Sequence, residues 1–192
     1  MSPQHVPVIV RSTTEADLEG VDELVRQFVN GHPAETHPRP LSRLREAYFG
    51  ARPVAHLLVA CKGSKVIGMG QWTRIYDMFW AMFAGRVEWL FVVPELRGQG
   101  IAAAIIAEIC HQVRAAGGEF LQGATGGADI AALYARAAVG TPGYGFHLSA
   151  AAFHAFADLA GLRPREIVRR LPSPELNQVA VSSVDRQPAS PA

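Results

Sequence analysis

The segment Glu88-Trp-Leu-Phe-Val-Val-Pro-Glu-Leu-Arg-Gly-Gln-Gly-Ile-Ala102 holds the residues whose types and spacing point most directly to chemistry. An apolar run ends at Pro94, Arg97-Gly98-Gln99-Gly100 follows, and a helical pattern opens at once. Gly98 and Gly100 remove side chains where a ligand could approach the backbone. The free N–H groups of a helix's first turn, together with the helix dipole, make an anion site suited to a pyrophosphate. Arg97 adds a positive charge on the same loop. The loop is not a Walker A sequence, for it lacks Gly-Lys-Ser/Thr, and it is not the dinucleotide fingerprint GxGxxG. Two glycines can equally make no more than a tight strand-to-helix turn.

The surrounding pattern supplies elements to position that loop. Val6 to Val10, broken by Pro7, reads as a first edge strand. Thr13 and Thr14 before Glu15 and Asp17 start a helix; Leu18, Val21, Leu24, Val25 and Phe28 form its inward stripe to about Val29. The three prolines between His32 and Pro40 mark a loop, and a second helix spans Leu41 to Phe49 with Leu41, Leu44 and Tyr48 inward. Val54–Ala60 and Val66–Trp72 read as strands joined through Lys62–Lys65. Residues 73–84, dense in aromatics and methionine, could be strand, loop or both, and Arg86–Val93 is a further strand. Ile101, Ile105, Ile109 and Val113 recur every four residues, so 100–116 is a helix that Gly117-Gly118 ends. A strand at Glu119–Gln122, a helix at Asp129–Ala138, a strand at Tyr144–Leu148, a helix from Ser149 to about Ala160 and a last strand at Ile167–Leu171 complete the order. Residues 1–171 thus read as one α/β domain, and 172–192, rich in Pro, Ser, Gln and Ala, as a disordered tail.

Composition narrows the function classes. The 192 residues are 49% apolar and 18% charged, enough to fill one sizeable core. Eighteen basic against seventeen acidic residues leave a formal charge of +1, which gives no footprint for DNA, RNA or an anionic membrane. Cys61 and Cys110 read as reduced core residues. The first residues lack the basic region and apolar core of a signal peptide, and no stretch approaches 18 apolar residues, so the expectation is a cytoplasmic protein without a membrane span. His32 and His37 have no compact set of partners, so no metal site is expected.

Arg97-x-x-Gly100-x-Ala102, set in VVPELRGQGIAAAII, resembles the acetyl-CoA-binding motif of the GNAT N-acetyltransferases, whose pattern is Gln/Arg-x-x-Gly-x-Gly/Ala. The resemblance extends to the order of elements from Val8 to about Leu171. It implies a GNAT-like fold: a mixed central sheet flanked by helices, with the strand before the motif bulged and splayed from its neighbour. It further implies that acetyl-CoA is the cofactor. The backbone amides of Phe91, Val92 and Val93 would bond its pantetheine arm, and Arg97, Gly98, Gln99, Gly100, Ile101 and Ala102 would cradle its pyrophosphate. Val66-Ile67-Gly68, Tyr76–Trp80 and Val87–Val92 are similar to the diamine and aminoglycoside 6′-acetyltransferase branch. Glu88 falls on that branch's Glu, and Trp89 stands where the branch has an Asp.

An alkylammonium with a pKa near 10.4 must lose a proton before its lone pair can attack a thioester. Glu88, at the start of the motif strand, is the candidate base; if it points into the cleft, the two-residue period puts Leu90 and Val92 on its face. A surface acid paired with Arg86 or Arg74 is the alternative. Leu133-Tyr134-Ala135-Arg136 resembles the family segment whose Tyr protonates the leaving thiolate, although the usual upstream Asn is missing; Tyr134 could instead be a core aromatic. The implied acceptor side includes Glu35, Tyr76, Asp77 and Trp80. The segment 76–83 could also pack a subunit interface, and a homodimer is expected.

The leading reading is an N-acetyltransferase moving acetyl from acetyl-CoA directly to a primary amine of a polyamine, amino acid or aminoglycoside-like molecule. Peptide, protein and aminoacyl-tRNA amines stay open as acceptors. The absent Asn, the Arg136-Ala-Ala sequence and Trp89 leave room for a non-catalytic acyl-CoA-binding sensor or structural protein.

Overall fold

The computed structural model describes residues 6–30, 38–78, 80–124, 128–137, 139–141, 145–148 and 150–173. A β-branched run forms β1 (Val8–Ser12) at one edge of a mixed seven-stranded sheet of order β1-β2-β3-β4-β5-β7-β6. β2 (His56–Lys62), β3 (Lys65–Asp77) and β4 (Met82–Val92) continue it antiparallel. β5 (Phe120–Gly123) runs parallel to β4, and β7 (Gly145–Leu148) and β6 (Val139–Thr141) close the far side antiparallel. The turn out of β1 is locked electrostatically. Arg11 donates to both carboxylate oxygens of Asp17 at 2.7 and 2.9 Å, and the Thr14 amide and hydroxyl donate to the same group at 2.8 Å each. The Arg11 guanidinium holds the Asp17 carboxyl well below the usual carboxylate range.

Helices cover both faces of the sheet. α1 (Leu18–Val29) and α2 (Leu41–Phe49) lie on one: Tyr48 donates to Gln71 Oε1 at 2.7 Å, and Phe28 packs on Trp89 and Phe91. α3 (Ile101–Ala115) lies on the other, with Ile105 and Ile109 over Gly70 of β3 and Leu90 beside them. The four-residue stripe of Ile101, Ile105, Ile109 and Val113 is buried, and so are Ala104, Ile106, Ala107 and Cys110. That wider apolar surface is needed because α5 (Ala150–Ala157) and α6 (Pro164–Arg169) also pack against α3. Trp72, 1% exposed, is satisfied by donating its indole N–H to Gln112 Oε1 of α3 at 3.2 Å. α4 (Ala128–Ala137) follows β5. Among the described residues no helix is long and apolar enough to cross a membrane, and no group of His, Cys, Asp and Glu could hold a metal ion.

Two departures from the sequence pattern, and one stretch it left open, have local causes. The strand expected at Ile167–Leu171 is instead α6: Pro164 occupies the first helical turn, where its missing N–H costs nothing, and Ile167 is buried at 1%. The ambiguous stretch 73–84 is the end of β3, a turn and the start of β4, with Tyr76 opposite Phe83. Phe28, expected on the inward stripe of α1, is 48% exposed because it ends the helix over the open part of β4. Residues from 174 onward, assigned to a tail, lie outside the described residues.

Candidate active site

The loop between β4 and α3 owes its shape to backbone conformation. Pro94–Leu96 make one 3-10 turn, closed by the Leu96 amide on the Val93 carbonyl at 3.0 Å. Gly98 and Gly100 follow at φ of +71° and +83°, the left-handed region that L side chains avoid. Gly100 is the N-cap of α3 and has no side chain to bond the helix's first amides. Those amides and the positive end of a 15-residue helix therefore stand uncapped beside the cleft. The two glycines differ in surroundings. A β-carbon on Gly98 would meet nothing within 4 Å, whereas one on Gly100 would lie 2.5 Å from the Pro164 carbonyl oxygen of α6. Arg97 does not project freely from this loop. Its Nε donates to the Val92 carbonyl at 3.1 Å, with the guanidinium 5.7 Å from the Phe91 ring centre, so it clasps the end of β4.

Glu88 sits at a break in the sheet. Trp89 pairs with Gln71 and Val87 with Trp72, so Glu88 is an extra residue, a β-bulge. Pairing of β4 with β5 stops at Val87 and Gly123, while β4 runs on to Val92. The next five residues consequently present an open edge to a cleft. The bulge also corrects the two-residue-period expectation: Leu90 and Val92 face α3, while Glu88 accepts a hydrogen bond from Thr73 Oγ1 at 3.1 Å. Of the three amides expected to meet a pantetheine arm, that of Val93 is already bonded to the Ile67 carbonyl at 3.0 Å. Successive strand amides point to opposite edges, so Phe91 shares that orientation and Val92 is the one turned to the cleft.

Tyr134 enters from α4. It is 5% exposed, and burial pushes its phenol well above the usual value, with the fully buried Cys110 thiol of α3 adding to the effect. The hydroxyl therefore keeps its proton at neutral pH. Its neighbour Arg136 donates to the Val168 carbonyl at 3.0 Å, tying α4 to α6.

A model of the "Acetyltransferase (GNAT) family" matches residues 20–138. The chain belongs to that family. It is 29% identical over 115 residues to a thialysine N-epsilon-acetyltransferase of Mus musculus and 28% identical over 116 residues to that of Sus scrofa. Those matches cover 53% and 54% of this chain and only 65% and 66% of the relatives. Among solved structures, a transcriptional regulator from Bacillus halodurans aligns with a TM-score of 0.53 at 26% identity, covering 62% of this chain and 81% of the other. An aminoglycoside acetyltransferase from a soil metagenomic sample, in complex with sisomicin, aligns with a TM-score of 0.53 at 18% identity over 66% and 82% of the chains, a likeness of fold.

The GNAT cleft of this chain measures about 1540 Å³, above the roughly 300–1,000 Å³ of an ordinary ligand pocket. It gathers Glu88, Phe91, Val92, Val93, Arg97, Gly98, Gly100, Ile101, Ala102 and Tyr134. Gln99 points elsewhere, into a smaller pocket between the start of β1 and α6. Tyr76, Asp77 and Trp80 are not brought to the cleft. They form the β3–β4 turn, where Asp77 accepts the Trp80 amide at 3.1 Å and Tyr76 meets Phe83 edge-on at 5.2 Å. Glu35 lies outside the described residues. Sequence reasoning missed Glu23, Gln27 and Phe28 of α1, which line the cleft. Their only signal was helical spacing, on which Glu23 and Gln27 read as a solvated face and Phe28 as part of the inward stripe.

Proposed function

We propose that this GNAT protein transfers an acetyl group from acetyl-CoA to a primary amine of a small molecule. The observation that carries the reading is the bulge at Glu88, which puts a carboxylate where β4 and β5 part, in one cleft with the uncapped start of α3 and with Tyr134. Acetyl-CoA supplies an acetyl group activated as a thioester. The residues present fit it: the first amides of α3 carry no side-chain cap and space is open beside Gly98, which suits a pyrophosphate, and the Val92 edge is open to an amide-bearing arm. Glu88, exposed and held by the Thr73 hydroxyl, accepts the proton of the incoming ammonium. Tyr134, protonated and largely shielded from water, holds a proton for the departing sulfur. The likeness to thialysine N-epsilon-acetyltransferases supports a small amine as acceptor.

Two accompanying features belong to the same reading. Tyr76, Met78, Met82 and Phe83 are exposed at 56, 87, 38 and 44% on one hairpin, and this apolar surface supports a homodimer. Light scattering giving about 41 kDa supports it, twice the 20.7 kDa chain; a monomer mass removes it. Buried, unpaired Cys61 and Cys110 fit a reducing cytoplasm. Activity is tested by following CoA release with polyamines, free amino acids and aminoglycosides. Amine-dependent release supports the transferase, whereas acetyl-CoA binding without release for any amine would make the protein a sensor.

A further inference from the structure

The base of the proposed reaction has to stand at the reacting nitrogen, so the side chains beside Glu88 on its face of the sheet meet the rest of the acceptor. Those side chains are aromatic. Phe28, at the end of α1, meets Trp89 edge-on with ring centres 4.8 Å apart, and meets Phe91 perpendicularly at 5.8 Å. Phe91 is the buried floor at 7% exposure, while Phe28 and Trp89 keep 48 and 38% of their surface open on the cleft. Rings held in mutual contact yet left wet are favourable surface for an apolar group to cover.

Of the other carboxylates lining the cleft, Asp17 is held by Arg11 and Thr14. Glu19 lies nine residues before Phe28 on α1, about 13 Å along the helix, and Glu95 lies past the end of β4. Glu23 of α1 also lines the cleft, but Arg26 Nη1 stands 3.8 Å from its carboxylate and Gln27 Nε2 donates to it at 3.2 Å. Glu88, adjacent to Trp89 in the chain, is the carboxylate beside the rings on β4. A polyamine would have to reach from Glu88 to Glu23 or Glu19 of α1, so spermidine is the competitor against which the rings are tested.

Resting on the transferase reading above, we propose that the acceptor is a monoamine carrying an aromatic or bulky apolar group close to its nitrogen, selected by Phe28 and Trp89. The apolar group lies on the two rings while the nitrogen reaches Glu88. Cation–π attraction would let the same rings serve a polycation instead, so the two outcomes must be compared directly.

The experiment measures kcat/KM for 2-phenylethylamine, propylamine and spermidine, and binding of the same amines by calorimetry, in wild type, Phe28→Ala and Trp89→Asp. Circular dichroism confirms that the variants are folded. Wild type should prefer 2-phenylethylamine by about tenfold or more, as a buried apolar group commands. Trp89→Asp should reverse the order towards spermidine, and Phe28→Ala should erase the preference over propylamine. A wild type that favours spermidine, or a ratio unmoved by Trp89→Asp, overturns the inference and leaves the transferase reading standing. Binding of 2-phenylethylamine that depends on Phe28 and Trp89, without CoA release, supports the acceptor assignment while removing the transferase. Neither binding nor turnover of the arylalkylamine overturns the inference.

Discussion

The two ends of the cleft are built from different materials. At the proposed donor end, Val92 and residues 98–102, the groups proposed to meet the cofactor are backbone amides. Their geometry is set by two left-handed glycines and by α6 pressing on one of them. At the proposed acceptor end, around Phe28, Thr73, Glu88 and Trp89, the groups are side chains held by few contacts: one hydroxyl on Glu88, and Phe28 on two rings of β4. Almost any residue can present an amide, provided the backbone holds its shape. A carboxylate or an indole is lost with a single codon. The donor end should accordingly fail through conformation and the acceptor end through chemistry.

The largest expected effect breaks the acceptor end alone. Glu88→Gln keeps the size and the contact with Thr73 but removes the base, so kcat/KM below the amine's pKa should fall about 10²–10⁴-fold. Acetyl-CoA affinity, a property of the other end, should stay unchanged by calorimetry. Equal rates for variant and wild type across neutral pH would return Glu88 to a surface role. Tyr134→Phe tests a residue between the two ends. It should lower kcat roughly 10²-fold with acetyl-CoA, and much less with an acetyl thioester whose thiol leaves without protonation. The same loss with both donors would assign Tyr134 to positioning.

Two smaller effects test the donor end. Gly100→Ala forces a left-handed alanine, about 1–2 kcal/mol, and drives a methyl into α6, about 1–3 kcal/mol more. Gly98→Ala should cost only the first of these, since its β-carbon meets open space. Urea unfolding of the two variants measures the difference; equal losses would mean that α6 does not brace the loop. The smallest effect compares Gly98→Asp with Gly98→Asn, two side chains that tolerate the left-handed region and differ by one charge. Acetyl-CoA should bind the Asp variant roughly tenfold more weakly than the Asn variant, the scale of one charge interaction at a partly shielded site. Similar affinities would move the pyrophosphate away from the loop.

Legibility in the sequence followed the same division. The motif loop, α2 at Leu41–Phe49 and the body of α3 could be read locally, because glycine pairs and a four-residue apolar spacing report backbone shape within a few residues. The hairpin within 73–84 could not, since aromatics and methionine fit strand and turn alike until Tyr76 finds Phe83. α6 was misread because Ile167 and Val168 favour strands when taken alone. Packing against α3 and Gly100 outweighs that local preference.

The residues of this chain by themselves determined that a left-handed, uncapped turn feeds a long apolar helix, and that a carboxylate precedes it on a strand. These are short-range consequences of glycine stereochemistry and apolar period. Only the tertiary structure decided which groups share the cleft. The bulge opposite Gln71 and Trp72 turned Glu88 towards Thr73 and parted β4 from β5, and the end of α1 brought Phe28 onto Trp89. A bulge is a mismatch between two strands, so neither strand encodes it alone.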